Sequence, residues 1–137
     1  MEKVILDTNF LMIPFKFKVD IYSELKTILD NPKLFIVDKT IDELNNIQIT
    51  QKGKNKEYAK MAHLSLKKYP ISIIKTVKHL NKEPKLSKIT SVDDTIAESA
   101  QKGSYFVATQ DQALKKKLKN KEIKIITLRQ KKYLIKI

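Results

Sequence analysis

Several residue types are absent or scarce in this chain of 137 residues, which contains no cysteine and only two glycines, Gly53 and Gly103. Without cysteine it can form neither a disulfide nor a thiolate metal site, and this composition is compatible with a reducing cytoplasm. Two isolated glycines exclude a P-loop and a dinucleotide-binding fingerprint. No apolar run approaches the ~20 residues that cross a membrane, and the N-terminal stretch is unlike a signal peptide. We therefore expect one cytoplasmic domain over residues 1–137 with no membrane segment.

Arginine is also scarce, since Arg129 is the only one among 28 basic residues. The chain also has 15 acidic residues, so its net charge is +13. Such an excess favours a polyanionic partner: RNA, DNA or an anionic membrane surface. Lysine binds phosphate well but reads bases poorly, so we expect contacts to the nucleic-acid backbone. An ordinary solvated lysine surface accounts for the charge equally well.

The acidic residues are concentrated in two segments of the chain. Residues 1–50 carry a net charge of −2 and residues 89–114 a net charge of −3, whereas residues 51–88 and 115–137 each carry +9. A fold that brings the acidic segments together would place a carboxylate pocket inside a positive surface. A magnesium-dependent enzyme that acts on a phosphodiester would use such a field.

Short apolar runs alternate with stretches of helical periodicity. Strands are predicted over residues 3–6, 34–37, 71–77, 105–108 and 124–128, with an edge strand over 133–137. Helices are predicted over 19–29, from Thr40 onwards, over 92–100 and over 113–118. A further helix is predicted from an apolar face formed by Tyr58, Met61, Ala62, Leu66 and Tyr69. Residues 81–88 are predicted to form an exposed loop. This alternation predicts an α/β fold with a mainly parallel sheet and a site at the carboxyl ends of its strands. Asp7, Asp38 and Asp111 stand at those ends.

Each candidate acidic residue also has an ordinary structural interpretation. Asp7 and Asp111 follow buried strands, where a helix N-cap is common. Glu43 lies three residues after Thr40, the spacing of a capping box. Asp93 and Asp94 open a helix, where acidic side chains offset the helix dipole, and Ser91 or Asp93 can act as the cap. Because adjacent side chains on a helix diverge by about 100°, one of the pair can face a pocket while the other flanks it.

Converging carboxylates repel one another unless a cation neutralises them. Their oxygen ligands select Mg²⁺ or Mn²⁺, which can activate a water and stabilise charge on a phosphoryl group. His63 and His79 lack metal-ligand spacing. Lys115, Lys116 and Lys117 follow Asp111 closely, and they form either a phosphate clamp or a solvated helix face.

The ordered set of motifs resembles that of the PIN-domain nucleases. The matching stretches are residues 5–9 (ILDTN), 43–44 (EL), 93–97 (DDTIA) and 107–111 (VATQD). The resemblance implies a three-layer α/β/α fold around a mainly parallel sheet of about five strands, and a metal-dependent endonuclease that usually cleaves RNA to 5′-phosphate and 3′-hydroxyl ends. It assigns the acidic quartet to Asp7, Glu43, Asp93 and Asp111, with the metal on Asp7, Asp93 and Asp111. Asn9 and Thr109 match polar positions on the substrate side, and Asp94 occupies a flanking position.

Two branches of that family remain open. The short chain is similar to VapC-type toxins, which pair with an antitoxin protein. The Asp93-Asp94 doublet and the stretch after Asp111 are more similar to nucleases of small-subunit ribosomal RNA processing, for which a ribosome-assembly protein is the expected partner. A non-catalytic RNA-binding module on the same fold is a further alternative, and a homodimer is left open. A structure-specific DNA nuclease is disfavoured, because the chain is too short for an additional helical arch.

Overall fold

A six-stranded sheet forms the centre of the computed structural model, which describes residues 1–76 and 91–137. The strands are β1 (Lys3–Leu6), β2 (Lys33–Val37), β3 (Ile71–Ile74), β4 (Phe106–Ala108), β5 (Ile125–Arg129) and β6 (Tyr133–Lys136). Their order is β3-β2-β1-β4-β5-β6, with parallel pairing up to β5 and antiparallel pairing of β6 on β5. The predicted α/β fold with a mainly parallel sheet is therefore confirmed, and the tail forms the expected edge strand.

The helices of the described residues are α1 (Thr8–Leu11), α2 (Ile13–Phe17), α3 (Ile21–Ile28), α4 (Asp38–Thr50), α5 (Lys54–Ser65), α6 (Val92–Gly103) and α7 (Gln112–Asn120). Side-chain caps begin α3, α6 and α7 at Asp20, Ser91 and Asp111, respectively. The sequence did not predict α1 and α2, because helices of 4 and 5 residues are too short to show a periodicity. Val77, His79 and the loop predicted over 81–88 lie outside the described residues.

The start of α4 corrects the capping-box prediction. The helix begins at Asp38, two residues before Thr40, so Thr40 lies inside the first turn. Asp38 accepts hydrogen bonds from the amides of Lys39 and Thr76, which fixes the carboxyl end of β2 and directs the chain into the helix there. Asp38 therefore serves the local structure, and Glu43 is not part of a cap with Thr40.

The buried face of α5 also differs from its prediction. Ala59, Ala62 and Ser65 are its buried residues, whereas Met61 is 46% exposed. Tyr69 lies beyond the end of the helix. Of the predicted face, Ala62 is buried and Tyr58 and Leu66 are half-buried. The prediction is therefore confirmed for these three residues and wrong for Met61 and Tyr69, which are exposed.

Alternate residues of the strands enter two separate hydrophobic clusters. Val4 and Leu6 of β1 belong to the cluster that contains residues of α1 to α5, whereas Ile5 belongs to the cluster with α6 and α7. Because neighbouring residues of a strand point to opposite faces, each face of the sheet carries its own helical layer. The three-layer arrangement implied by the family resemblance is thus confirmed.

The change of helical layer determines where a crevice opens. The helices that follow β1 and β2 cover one face, and α6 and α7, on either side of β4, cover the other. The layer therefore changes between the adjacent strands β1 and β4. In sheets of this type, ligands bind outside the carboxyl ends of the strands at such a switch point. Asp7 follows β1 there, and its amide donates to the carbonyl of Ala108 at the end of β4 over 3.0 Å.

No helix within residues 1–76 and 91–137 combines the length and apolarity needed to cross a membrane.

The central strand provides a test of this packing. Ile5 is fully buried, whereas Ile73 on the edge strand β3 is 48% exposed. We expect Ile5→Ala to lower the free energy of unfolding by about 2–5 kcal/mol, because the cavity stays inside a close-packed layer. Ile73→Ala should cost less than about 1 kcal/mol. Urea unfolding of the two variants measures the difference, and equal losses would contradict the assigned burial.

Candidate active site

Asp7 is the buried acid at the centre of the crevice, with 4% of its surface exposed. One carboxylate oxygen accepts from the Thr8 amide over 2.8 Å as the N-cap of α1. The other accepts from the Thr109 hydroxyl over 2.7 Å. Burial raises the pKa of Asp7 to about 6, and the charges of Asp93 and Glu43 act in the same direction, against the two hydrogen bonds. A carboxyl group with a raised pKa therefore lies between the ends of β1 and β4.

Thr109 joins the two strand ends through its side chain. Its hydroxyl donates to Asp7 and accepts from the Asp111 amide over 3.0 Å, and the residue is fully buried. Asp111 in turn accepts from the Leu114 amide over 3.0 Å and caps α7. We revise the expectation of a substrate contact for Thr109, because solvent and substrate do not reach its hydroxyl. Its contacts hold Asp7 and Asp111 in place.

Gln110 stabilises the same loop, a role that was not predicted from the sequence. Its amide donates to the Asn9 side chain over 3.2 Å. Its side-chain oxygen accepts from the Thr127 hydroxyl over 2.7 Å and from the Leu128 amide over 2.6 Å. Asn9 is thereby engaged with the backbone of the Asp111 loop. A polar residue between two motif residues was the available signal, but its partners on β5 are distant in sequence.

Glu43 reaches the site from α4. The hydroxyl of Thr8 donates to one of its carboxylate oxygens. Thr8 is buried and Glu43 is half-buried. The residue that orients Glu43 is thus the neighbour of Asp7. No sequence pattern indicates this pairing, because the two residues are 35 positions apart.

The two adjacent acids of α6 have different surroundings. Asp93 is half-buried, and its pKa is raised by burial and by the charges of Asp111 and Glu43, with the charge of Lys117 opposing them. Asp94 is exposed and forms an ion pair with Lys117 over 2.8 Å. The Ser91 hydroxyl accepts from the Asp94 amide and caps the helix. One acid therefore lies toward the other carboxylates and its neighbour flanks them, as the helical geometry predicted.

The three consecutive lysines of α7 do not act as one group. Lys116 is exposed, and Lys117 is bound to Asp94. Lys115 is half-buried, and its pKa is lowered by burial and then by the charges of Lys119 and Arg129. Because side chains separate by about 100° per residue on a helix, this run diverges over the surface.

The chemistry of the donor set fits a hard divalent cation. Four carboxylates supply only oxygen ligands, and the pKa values of Asp7 and Asp93 are raised partly by negative charge on their neighbours. A cation here would relieve that repulsion. Among residues 1–76 and 91–137, however, no three acidic or histidine side chains are close enough to ligate one ion together. The arrangement is an open acidic pocket, and bound Mg²⁺ or Mn²⁺ stays a prediction.

Known proteins share both the sequence pattern and the fold. A family described as "PIN like domain" matches residues 4–131. Ribonuclease VapC4 of Methanocaldococcus jannaschii is 30% identical over 139 residues, which cover 97% of this chain and 95% of that protein. The PIN domain endonuclease Utp24 has a TM-score of 0.73 at 24% identity, over 96% of this chain and 88% of that one. VapBC2 from Rickettsia felis, bound to a DNA fragment from its promoter, has a TM-score of 0.56 at 21% identity, over 83% and 92% of the two chains.

The raised pKa of Asp7 predicts an unusual effect of pH on stability. Between about pH 4 and 6 the unfolded chain loses this proton while the folded chain retains it, so stability falls as the pH rises. Above that window the penalty is constant, on the order of 3 kcal/mol. We expect Asp7→Asn to stabilise the metal-free protein at pH 8 by about 1–3 kcal/mol, reduced by the free energy of any hydrogen bond that the asparagine does not form. At pH 4 the substitution should give no gain in stability.

Asp20 offers a control of opposite sign, because its pKa is lowered by hydrogen bonds from Ser23. Asp20→Asn should destabilise the protein at pH 8. Unfolding by urea with a chelator present measures both variants, and a loss of stability in Asp7→Asn at pH 8 would contradict the assigned burial.

The hydroxyl of Thr109 lowers the pKa of Asp7 by donating to its carboxylate. Thr109→Val removes that donor, so the Asp7 pKa should rise above about 6. Thr109→Ser keeps a hydroxyl and should leave it nearly unchanged. Titration of the Asp7 carboxyl carbon by NMR distinguishes the two variants. Identical titrations for valine and serine would show that the hydroxyl does not act on Asp7.

Proposed function

Since this chain belongs to the PIN-like domain family, we propose that it is a metal-dependent endoribonuclease. The observation that carries the proposal is the gathering of Asp7, Glu43, Asp93 and Asp111 at the crevice between β1 and β4, where their charges act on one another. Capping alone does not require acids from four separate parts of the chain to share one pocket. The surrounding positive charge favours an anionic polymer as substrate.

We assign Mg²⁺ or Mn²⁺ to Asp7, Asp93 and Asp111, with Glu43 as a further ligand or as the base that accepts a proton from water. Such an ion, when bound, supplies positive charge for a phosphoryl group and lowers the pKa of a coordinated water. Thr109 and the Leu114 amide orient Asp7 and Asp111 through one oxygen each, and Thr8 does the same for Glu43. The second oxygens of Asp111 and Glu43 have no hydrogen-bond partner among the described residues, which suits a ligand or base.

Lys117 lies beside this pocket, because its charge lowers the pKa of Asp93. Its ion pair with Asp94 is exposed and hence weak in water. We propose that Lys117 leaves Asp94 and binds a substrate phosphate instead. Lys116 contacts the substrate backbone further from the pocket. In this role Asp94 holds the lysine near the pocket before RNA arrives. Asn9 fixes the Asp111 loop and is, in addition, exposed enough to contact substrate.

RNA is proposed as the substrate because the relative at 30% identity is named a ribonuclease. We propose a role in ribosomal RNA processing because the Asp93-Asp94 doublet and the stretch after Asp111 resemble those of nucleases in that branch. The match to the endonuclease Utp24 shows a shared fold. We expect the activity in the cytoplasm. Cleavage at one position of a small-subunit ribosomal RNA fragment would support this branch of the family.

A toxin that is held inactive by an antitoxin is the second candidate, in keeping with the name of the VapC4 relative. The observation that favours it is an apolar groove of about 590 Å³ lined by α2, the start of α3 and the end of α5. Its lining includes Phe15, Tyr22 and Tyr69, and Leu64 at its edge is 60% exposed. Exposed apolar surface of this kind is typical of a protein-binding site. Lysines at its edge favour an acidic partner segment.

Metal-dependent RNA cleavage tests the proposal. The assay uses a small-subunit ribosomal RNA fragment and an unrelated single-stranded RNA, with Mg²⁺ or Mn²⁺. We expect cleavage that a chelator abolishes, and Asp93→Asn should lower the rate by on the order of 10²–10³-fold, because it removes a charge from the metal site. Asp42→Asn, which alters an exposed acid of α4, is the matched control and should keep the activity.

The outcomes separate the candidates. One cut in the ribosomal fragment favours processing, whereas cuts in both RNAs favour a toxin-like or relaxed nuclease. Tight RNA binding at low salt, without cleavage and without Mn²⁺ binding by calorimetry, would replace the nuclease with a non-catalytic RNA-binding module.

A further inference from the structure

The turn between β5 and β6 is basic and has an unusual backbone. It consists of Arg129, Gln130, Lys131 and Lys132, and the Lys132 amide donates to the Arg129 carbonyl over 3.1 Å. Gln130 and Lys131 have φ angles of 55° and 57°, the pattern of a type I′ turn. Asparagine and glycine usually occupy such positions, because side chains disfavour positive φ. Here a long cationic side chain stands at the tip instead.

Two lysines from distant parts of the chain flank one aromatic ring beside this turn. The Lys131 ammonium lies 5.6 Å from the centre of the Phe17 ring, and the Lys16 ammonium lies 5.3 Å from the same centre. Both distances are within the range of a cation–π contact. Phe17 is half-buried and packs against the core, so it positions the two lysines and does not offer an open face for a base.

A second group of cations continues from Arg129 along α7. Lys115 and Lys119 are four residues apart on that helix and thus share a face. The charges of Lys119 and Arg129 both act on Lys115. Within residues 1–76 and 91–137, none of the five cations Lys16, Lys115, Lys119, Arg129 and Lys131 forms an ion pair.

These cations adjoin the carboxylate pocket. The Gln110 side chain accepts from the Leu128 amide and donates to the Leu128 carbonyl, immediately before Arg129. Gln110 also precedes Asp111, so one residue ties the base of the turn to the loop of the site. Asp111 is close enough for its charge to act on Lys115. A polyanion that enters the pocket would pass directly onto this surface.

We propose that Lys16, Lys115, Lys119, Arg129 and Lys131 form a track that binds the phosphates of RNA beside the cleaved bond. The inference rests on the proposed function and adds the place where the substrate backbone lies. Backbone contacts predict affinity without base preference. An acidic protein is the less favoured occupant, because all five track residues are cationic, whereas the groove lined by α2, α3 and α5 is mainly apolar.

RNA binding by a triple variant tests the track. In an Asp93→Asn background that slows cleavage, Lys16→Gln, Arg129→Gln and Lys131→Gln together remove three positive charges outside the carboxylate pocket. The control, Lys54→Gln with Lys56→Gln and Lys60→Gln, removes three exposed charges from α5. Fluorescence anisotropy with a labelled single-stranded RNA gives Kd over a series of salt concentrations.

We expect the track variant to raise Kd by at least about 10-fold and to reduce the slope of log K against log salt by about 2, as three lost phosphate contacts predict. The control should change Kd by less than about 3-fold. Equal changes in Kd for the track variant and the control variant would mean that only net charge matters, and this would overturn the proposal of a track. Track-dependent binding of polyglutamate as tight as that of RNA would also overturn it.

The same variants without Asp93→Asn separate this inference from the nuclease proposal. Metal-dependent cleavage with unchanged KM in the track variant refutes the track and leaves the nuclease intact. Track-dependent RNA binding by a chain that cleaves no RNA refutes the nuclease and leaves the track intact. A raised KM with a similar kcat supports both. Circular dichroism and unfolding midpoints verify that each variant is folded.

Discussion

The hydrogen bond between the Thr109 hydroxyl and the Asp7 carboxylate is the contact on which the site depends. It joins the ends of two adjacent parallel strands across 102 residues of sequence. The same hydroxyl accepts from the Asp111 amide, so the third acid is placed relative to the first. Because this bond is buried, water does not compete for it, and the two strand ends keep one relative position.

This arrangement has an electrostatic cost. Asp7 is desolvated and also lies near two other negative charges, which is why its pKa is raised to about 6. A neutral polar residue that kept the hydrogen bonds from Thr8 and Thr109 would avoid this cost. Acids held together against their own repulsion are typical of functional sites, where a bound cation or substrate offsets the strain. The Gln110 brace and the Thr8–Glu43 bond provide the rigidity that keeps these acids together.

Much of the fold could be predicted, because its signals are local. β-branched apolar runs alternated with helical periodicity, and the strands and longer helices were found near their observed bounds. The family resemblance, carried by motifs in a fixed order, was confirmed, and it supplied the three layers that periodicity alone left open. The errors arose where tertiary contacts decide. Asp38 bonds to Thr76, just beyond β3, and starts α4 early, and Ala59 is buried in α5 where the exposed Met61 was expected.

The sequence by itself determined which acids stand after which strands, and hence that Asp7 and Asp111 share one edge of a parallel sheet. It also determined the lysine excess that surrounds them. Only the tertiary structure decided what each side chain touches: that the Thr109 hydroxyl donates to Asp7, that Gln110 bonds to β5, and that Lys131 contacts Phe17. The reason is physical, since strand and helix periods are set by neighbours in the chain, whereas these contacts join residues that the fold brings together from more than fifteen positions apart.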